Sequence, residues 1–262
     1  TKFFPEGEGI EDRTKNNTLF LAVANQFNGE IASKIIKWFG DVEVFSGLEH
    51  TKKKFITSHF LKDKFMENQI KEFLKSLTLG FRDLKQDGQQ NIFQRVIKTI
   101  HAKFDKNGKE IGIVEFDLIS QESSGTNKIY DMAGLIVFSL AYGKILVIDE
   151  LDAKLHPLLT QAIVRLFHSE ETNPLNAQLV FSTHDTNLLN ACLFRRDQIY
   201  FTEKNELEET DLYSLAEYKD EAGKKVRNDT SVEKNYIEGR YGAIPYIGDF
   251  SKLMTHGKNT EN

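Results

Sequence analysis

The amino-acid sequence predicts an α/β protein with a largely parallel sheet flanked by helices, together with a helical insertion and a β-hairpin. Two observations support this fold class. Helix-like and strand-like segments alternate from residue 129 to residue 203, as in chains that build parallel sheets from βαβ units. Residues 145–148 are apolar throughout, which is typical of a strand buried on both faces of such a sheet.

The first part of the chain is predicted to be mainly helical. Apolar side chains recur at three- and four-residue spacing in residues 19–27, 31–39 and 62–77, which indicates amphipathic helices. Residues 41–45 fit a short strand between the second and third of these helices. No chemical motif is recognisable in this region.

A β-hairpin is predicted for residues 92–118, because two β-rich runs flank Asn107 and Gly108. Asn-Gly is the preferred pair for a type I′ turn, which joins two antiparallel strands through two residues. This hairpin leads directly into a polar loop at residues 122–128.

Three further elements are predicted after the loop and the helix that follows it. A helix beginning near Pro157 carries an apolar stripe. The stripe consists of Leu158, Leu159, Ala162, Ile163, Leu166 and Phe167. Residues 178–185 fit a second buried strand, and residues 211–215 fit a strand in the more polar tail. Near the end of the chain, residues 240–246 fit a docked strand or loop, because segments with Gly and Pro are usually architectural.

Two adjacent carboxylates, Asp149 and Glu150, directly follow the apolar run. In α/β folds, ligands bind at the carboxyl ends of strands. In a nucleotide site the first carboxylate would hold Mg²⁺ through its water shell, and the second would polarise the attacking water. The alternative is a solvated pair of acids that ends the strand.

Polar groups from two other segments support a site that binds phosphate. Residues 178–185 deliver Ser182, Thr183 and His184 to the same sheet edge as the acids. Residues 122–128 form a Ser/Gly loop ahead of an apolar helix, where free backbone N–H groups and the positive end of the helix dipole suit a phosphate.

Each of these features has a structural alternative. The Ser/Gly loop also fits a helix N-cap without a ligand, since Ser and Thr are favoured caps. His184 also fits a buried histidine satisfied by its neighbours. Asp152 also fits the N-cap of the helix that begins near Pro157.

In this order, the three segments resemble the ATP-binding-cassette (ABC) ATPases of the SMC, RecF and OLD (overcoming-lysogenisation-defect) kind, which have a P-loop NTPase fold. The wording of residues 151–157 and 173–189 is most similar to stand-alone bacterial ATPases of abortive-infection and other anti-phage systems, including PARIS-type and RloA-like pairs. The resemblance extends over residues 16–250 and is strongest from 122 to 203.

The resemblance implies a role for each motif. Asp149 and Glu150 correspond to the Walker B pair, with Asp149 as the Mg²⁺ ligand and Glu150 as a catalytic residue. His184 corresponds to the catalytic switch histidine. The signature loop and the D-loop at residues 151–155 supply the implied nucleotide contacts, namely Ser123, Ser124, Gly125, Thr126 and Asp152. The loop departs from the Leu-Ser-Gly-Gly-Gln pattern of transporters, with Glu122 in place of Leu and Ser124 in place of the first Gly.

The resemblance also implies three regions. Residues 1–90 are a mainly helical insertion or partner region, residues 91–205 an ATPase lobe with the signature, Walker B, D-loop and H-loop motifs, and residues 206–262 a C-terminal extension. The sequence contains no Gly-x-x-x-x-Gly-Lys-Ser/Thr loop. We therefore expect the C-terminal part of a longer ATPase that hydrolyses ATP when this phosphate loop is present. A catalytically dead remnant is the alternative.

Composition is consistent with a cytoplasmic globular protein. A chain of 262 residues with 40% hydrophobic content can bury a core, and its single Cys192 suits a reducing compartment. The longest apolar stretch, residues 133–142, is too short to span a bilayer. A net charge of −5 argues against a wide nucleic-acid surface, although the basic clusters at residues 52–54 and 195–196 leave nucleic-acid binding undecided.

Cofactors and partners follow from the resemblance. It implies ATP and Mg²⁺ as cofactors, a homodimer or higher homo-oligomer formed through the ATP sites, a separately encoded effector such as a TOPRIM-type nuclease, and a phage-derived trigger. The alternatives are a RecF/SMC-like DNA repair ATPase and a non-catalytic module that binds a partner protein.

Overall fold

The computed structural model describes residues 4–47, 54–77, 79–87, 96–190, 193–205, 207–219, 223, 226 and 231–245. The chain divides into two compact units, Thr1–Asp185 and Thr186–Asn262.

The first unit contains both helices and strands. Its helices are α1 (Phe20–Gln26), α2 (Glu30–Phe39), α3 (Lys54–Phe60), α4 (Lys64–Ser76), α5 (Leu118–Gln121), α6 (Ser124–Tyr142) and α7 (Pro157–His168), preceded by 3₁₀ turns at Pro5–Gly7 and Glu11–Arg13. Its strands are β1 (Val42–Ser46), β2 (Asp83–Asp87), β3 (Val96–Phe104), β4 (Glu110–Asp117), β5 (Ile145–Asp149) and β6 (Gln178–Phe181). The helices predicted over residues 19–27, 31–39 and 62–77 and the strand predicted over residues 41–45 are confirmed.

A three-stranded parallel sheet in the order β1-β5-β6 forms the centre of this unit. Ser46 pairs with Asp149 at the carboxyl end of the β1–β5 ladder, and Ile148 pairs with Phe181 in the β5–β6 ladder. The predicted fold class, a mixed α/β protein with a parallel sheet and packed helices, is confirmed. Since β1 lies within the region predicted as an insertion, that region contributes a strand to this sheet; the predicted region boundaries stay predictions.

Helices pack on one face of the parallel sheet. The order β1-β5-β6 advances in one direction, so two right-handed crossovers carry their connections over the same face. Phe45, Leu146 and Ile148 are buried on that face, where α6 contacts β5 and α7 contacts β6. On the opposite face Val44 is 69% exposed and Val180 is 55% exposed. Val147 of β5 is half-buried on this face, so β5 meets the expectation of burial on both faces in part, whereas the expected burial of residues 178–185 is wrong at Val180.

The long helix α6 is surrounded by protein along most of its length. Its residues are buried from Thr126 to Val137, including the polar side chains of its first two turns. Helix α3 approaches it at Gly134, whose N–H donates to Thr57 Oγ1 at 3.0 Å. A Cβ added at Gly134 would lie 2.8 Å from the Thr57 Cα, so glycine is needed for this close approach.

Helix α7 buries most of the predicted stripe at least in part and adds two positions to it. Its N-cap is His156, whose Nδ1 accepts from the Leu158 N–H. Ile163 and Phe167 are buried as predicted, but Leu158 is 66% exposed. Its side chain lies in the first turn, at the end of the helix. The other buried positions are Thr160 and Val164.

A second sheet is antiparallel, in the order β2-β3-β4. Strands β3 and β4 confirm the predicted hairpin, of which residues 92–95 lie outside the described part. The predicted type I′ turn is wrong, because it requires positive φ at both central residues and only Gly108, with φ 78°, has it. Asp105 explains the difference: its carboxylate accepts from the N–H groups of Asn107 and Lys109, which builds a longer loop.

The second unit contains α8 (Asn187–Asn190), a 3₁₀ turn at Arg196–Gln198, β7 (Tyr200–Lys204), β8 (Thr210–Ser214) and α9 (Val232–Ile237). Strand β8 confirms the strand predicted over residues 211–215. Strand β7 pairs antiparallel with β8, so the last strand of the predicted alternation belongs to a hairpin and does not extend the parallel sheet.

The segment after α9 is a docked loop, as predicted for the described part of residues 240–246. Tyr241 is buried in a cluster with Phe201 and Leu215. Its carbonyl accepts from the Tyr213 hydroxyl at 2.5 Å, and its own hydroxyl accepts from Asn235 Nδ2 at 3.0 Å. These bonds fasten the loop to the hairpin.

Among the described helices, none combines the length and the apolarity needed to cross a bilayer.

Replacement of Asn173 by Ala should destabilise the connection between α7 and β6. The buried Asn173 amide donates to the carbonyls of Phe167 and Ala177 and accepts from the Ala177 N–H, at 2.6–2.9 Å. The substitution leaves these groups without their partner, so we expect the free energy of unfolding to fall by about 2 kcal/mol in urea titrations. The control Gln178→Ala, at an exposed site, should change it by less than about 0.5 kcal/mol. Equal effects would contradict this assignment.

Candidate functional site

The two predicted Walker B acids lie at the carboxyl end of β5. Asp149 is the last residue of the strand and its side chain is exposed. Glu150 follows with φ 52°, in the left-handed region that non-glycine residues rarely adopt. The next residue, Leu151, is fully buried. The chain therefore turns sharply at Glu150, and the side chain of the next residue packs in the interior.

Ser182, directly after β6, connects both acids. Its hydroxyl donates to Asp149 Oδ1 at 2.5 Å and accepts from the Glu150 N–H at 2.8 Å. Its carbonyl accepts from the Leu151 N–H at 3.0 Å. The sequence placed Ser182 at this sheet edge without a role, and the structure makes it the residue that orients the Asp149 carboxylate.

Asp152 and His184 also meet at this edge. Asp152 Oδ1 accepts from the His184 backbone N–H at 3.2 Å, which ties the D-loop to the segment after β6. The alternative role of Asp152 as the N-cap of α7 is wrong, because His156 occupies that position. The alternative of a buried His184 is also wrong, because the residue is exposed.

The predicted signature loop forms the first turn of α6. Ser123 is the N-cap, and its Oγ accepts from the Thr126 N–H at 3.0 Å. Ser123 and Ser124 are exposed, whereas Thr126 is buried. A Cβ added at Gly125 would lie 3.0 Å from the Lys154 carbonyl oxygen, so this loop packs against the D-loop of the same chain. The helix thus begins earlier than residue 129, within the predicted loop.

Glu122 occupies the position where transporters have Leu, and the structure gives a reason for the difference. Its Oε1 accepts from the Thr99 hydroxyl at 2.5 Å and lies 2.7 Å from His101 Nε2. Both partners belong to β3. The polar side chain thus joins the signature loop to the antiparallel sheet.

Lys128 is a site residue that the sequence analysis missed. Its side chain is 1% exposed, and its Nζ donates to the Glu150 carbonyl at 2.8 Å. Burial lowers the pKa of its ammonium to about 8, and the nearby charges of Asp152 and Glu150 oppose this shift. A charged residue within a helix that is apolar on all sides was the signal available in the sequence.

Gly47, directly after β1, is a second residue that was missed. Its N–H donates to the Asp149 carbonyl at 2.6 Å. A Cβ added here would lie 2.2 Å from the Glu150 carbonyl oxygen and 2.8 Å from Lys128 Nζ. Glycine therefore allows β1 to approach the turn that carries the acids.

Asp149 has the chemistry that Mg²⁺ requires in a nucleotide site. The described residues contain no group of three or more His, Cys, Asp or Glu side chains that could enclose a metal ion. Mg²⁺ in such sites usually binds one or two carboxylates together with waters and substrate phosphates. An exposed carboxylate held by a serine hydroxyl fits this pattern.

The comparison with protein families agrees with this geometry. A family model described as "AAA domain, putative AbiEii toxin, Type IV TA system" matches residues 2–190. The chain belongs to this AAA-domain family. Membership supports a nucleotide-binding ATPase, and ATPases of this family generally use ATP and Mg²⁺. The parallel sheet with packed helices is consistent with a P-loop NTPase-like AAA fold. No curated protein matches the chain significantly.

The two arginines considered for nucleic-acid binding have structural partners. Arg195 pairs with Asp197 at 2.9 Å, and Arg196 donates to the Val226 carbonyl. Residues 52 and 53 of the other cluster and Cys192 lie outside the described residues.

The lowered pKa of Lys128 predicts a specific pH dependence in this AAA-domain protein. Between pH 8 and pH 10.5, the unfolded chain holds the Lys128 proton while the folded protein releases it. Stability therefore rises with pH in that window. We expect the unfolding free energy of wild type, measured in urea titrations, to rise by about 3 kcal/mol relative to that of Lys128→Met between these two pH values.

Lys34 serves as a control of opposite sign. The hydrogen bond and charge of Glu30 raise the pKa of the exposed Lys34, so any stabilisation by this pair is lost as pH rises through that pKa. As pH rises through that pKa, the unfolding free energy of wild type should therefore fall relative to that of Lys34→Met. Parallel pH curves for wild type and Lys128→Met would contradict the prediction for Lys128.

Proposed function

We propose that this protein is a Mg²⁺-dependent ATPase subunit that acts as a nucleotide-dependent dimerisation switch. One observation carries the proposal. The Asp149 carboxylate and the Glu150 backbone are held together by Ser182 at the carboxyl end of a parallel strand, which is where α/β folds bind their ligands. Membership of the AAA-domain family supports the same chemistry.

Each acid at this edge has a separate task in the proposal. Asp149 holds Mg²⁺ through its water shell, with its carboxylate oriented by the Ser182 hydroxyl. The ion, when bound, neutralises charge on the phosphates. Glu150 orients the attacking water, and His184, which is exposed and whose backbone N–H donates to Asp152, senses the γ-phosphate. Catalysis then depends on positioning and electrostatics more than on covalent chemistry.

The dimer in this proposal is closed by ATP. The exposed Ser123 and Ser124, with Gly125, contact the nucleotide bound by the partner subunit, where the first turn of α6 provides free N–H groups. Asp152 couples the two sites, a role supported by its bond to the His184 backbone within one subunit. ATP is thus a removable part of the interface.

The phosphate loop belongs, in this proposal, to a part of the protein that precedes Thr1. Parallel sheets in α/β proteins are normally covered on both faces. The exposed Val44 and Val180 leave an apolar face beside the Asp149 edge. A covering element that includes the phosphate loop would bury this face and complete the nucleotide site.

The biological role proposed here is that of a cytoplasmic sensor or regulator in a bacterial anti-phage system. The support is the resemblance of the motifs to abortive-infection ATPases and the mention of an AbiEii toxin in the family description. In this role the ATPase responds to a phage-derived trigger and controls a separately encoded effector, such as a TOPRIM-type nuclease.

A non-catalytic partner-binding module is the second candidate. It becomes the better account if the native polypeptide carries no Gly-x-x-x-x-Gly-Lys-Ser/Thr loop; residues 1–262 contain none. A RecF/SMC-like repair ATPase is less favoured, because the net charge is −5 and Arg195 and Arg196 engage structural partners.

Substitution of Glu150 by Gln should stop turnover while ATP binding persists. The amide keeps the size of the side chain and the backbone contacts but cannot polarise the attacking water. Mg²⁺-dependent phosphate release by the full-length protein should fall by at least about 100-fold, and the ATP-bound dimer should accumulate in size-exclusion chromatography. Absence of both ATP binding and turnover in the wild type would favour the partner-binding module.

Substitution of Ser123 by Arg should prevent ATP from closing the dimer. The larger cation occupies the exposed start of α6, where the partner's nucleotide is proposed to lie, so light scattering should show a monomer in Mg²⁺ and ATP. Binding of ATP to one subunit should change little. Lys34→Arg, on the exposed surface of α2, is the control and should dimerise like wild type. Dimerisation of Ser123→Arg at wild-type ATP concentrations would refute the proposed arrangement.

A further inference from the structure

Lys128 combines complete burial with a position next to the proposed catalytic acid. The side chain is 1% exposed and lies in the second turn of α6. A positive charge is unfavourable both in the protein interior and near a helix N-terminus. Specific partners offset part of the cost of burying an ammonium at such a position.

The partner of the Lys128 ammonium is the backbone of Glu150. Its Nζ donates to the Glu150 carbonyl at 2.8 Å, while the Glu150 N–H donates to Ser182 at 2.8 Å. The backbone of Glu150 is thus held on both sides. Its φ of 52° is unfavourable for a residue with a Cβ, and such conformations persist when surrounding contacts determine them.

Gly47 encloses the same carbonyl. The clash expected for a Cβ at this position, 2.2 Å from the Glu150 oxygen and 2.8 Å from Lys128 Nζ, shows how closely β1, α6 and the Glu150 turn pack. The ammonium therefore has little space in which to reach another acceptor. Its bond to Glu150 is part of a dense junction of three elements.

The same end of α6 carries the proposed contacts to the partner's nucleotide. Ser123 is the N-cap, and the Asn127 amide fastens this turn by donating to the carbonyls of Leu118 and Ser123. Since Lys128 is the next residue along the same helix, a displacement of the first turn also displaces the ammonium.

We propose that Lys128 is a positioning residue that couples the signature loop of α6 to the catalytic Glu150 of the same subunit. Contact between the partner's nucleotide and the Ser123–Gly125 turn sets the position of α6. Because the Lys128 ammonium is bonded to the Glu150 carbonyl, the Glu150 backbone moves with the helix. The inference rests on the proposed ATPase function and deepens it. It makes hydrolysis in one site depend on the occupation of the other.

The test measures steady-state ATP hydrolysis and its dependence on ATP concentration in the full-length protein. Lys128→Met and Lys128→Gln remove the charge at similar volume, and Lys128→Arg keeps a charged donor. Lys144→Met is the matched control, since Lys144 is a partly buried lysine at the opposite end of β5, paired with Asp41 at 2.5 Å.

We expect both neutral variants to lower kcat by about 10- to 100-fold, the effect of a small misplacement of a reacting group, while KM for ATP stays within about twofold. Any cooperativity with respect to ATP should disappear. Lys128→Arg should retain more of kcat than either neutral variant, and Lys144→Met should match wild type.

Three results would overturn the inference. If either neutral variant that folds, judged by circular dichroism and melting temperature, keeps kcat within twofold of wild type, Lys128 does not position Glu150. If Lys144→Met loses as much kcat as Lys128→Met, the effect is structural. Lack of Mg²⁺-dependent ATP turnover in the wild type would overturn the proposed function together with this inference, whereas unaffected Lys128 variants of an active wild type overturn this inference alone.

Discussion

The pairing of β5 with β1 on one side and β6 on the other is the constraint on which the proposed site depends. Parallel ladders fix which residues lie side by side, and here they end together. Ser46 pairs with Asp149, and the ladder to β6 continues as the Ser182 N–H donates to the Ile148 carbonyl. A slip of one residue would turn Asp149 to the opposite face of the sheet, away from the Ser182 hydroxyl.

Negative side chains are concentrated at this edge, and groups of the same unit contact them or their backbone. Asp149, Glu150 and Asp152 fall within four residues. A serine hydroxyl, a backbone N–H and the Lys128 ammonium contact them or their backbone. Since all of these partners come from α6 and the segment after β6, the packed body of the unit holds the Asp149 and Asp152 carboxylates and the Glu150 backbone.

Much of this arrangement was predictable because it depends on local pattern. Apolar spacing located α1, α2 and α4, and the apolar run before Asp149 and Glu150 located β5 and its acids. Details that depend on contacts between distant segments were not predictable. The Asp105 carboxylate replaced the expected type I′ turn by a longer loop, and β7 paired with its own neighbour β8, because strand pairing is decided by partners that periodicity does not reveal.

For the candidate site, residue types and their order along the chain were enough to predict the acids, the signature loop and His184 as site residues. How these residues are held depends on the tertiary structure. It brought Ser182 to Asp149 and Asp152 to the His184 backbone, and it assigned contacts to Gly47 and Lys128, which no motif contains. The physical reason is that hydrogen bonds and steric fit act between segments that meet only after folding, so their partners are not recorded in sequence spacing.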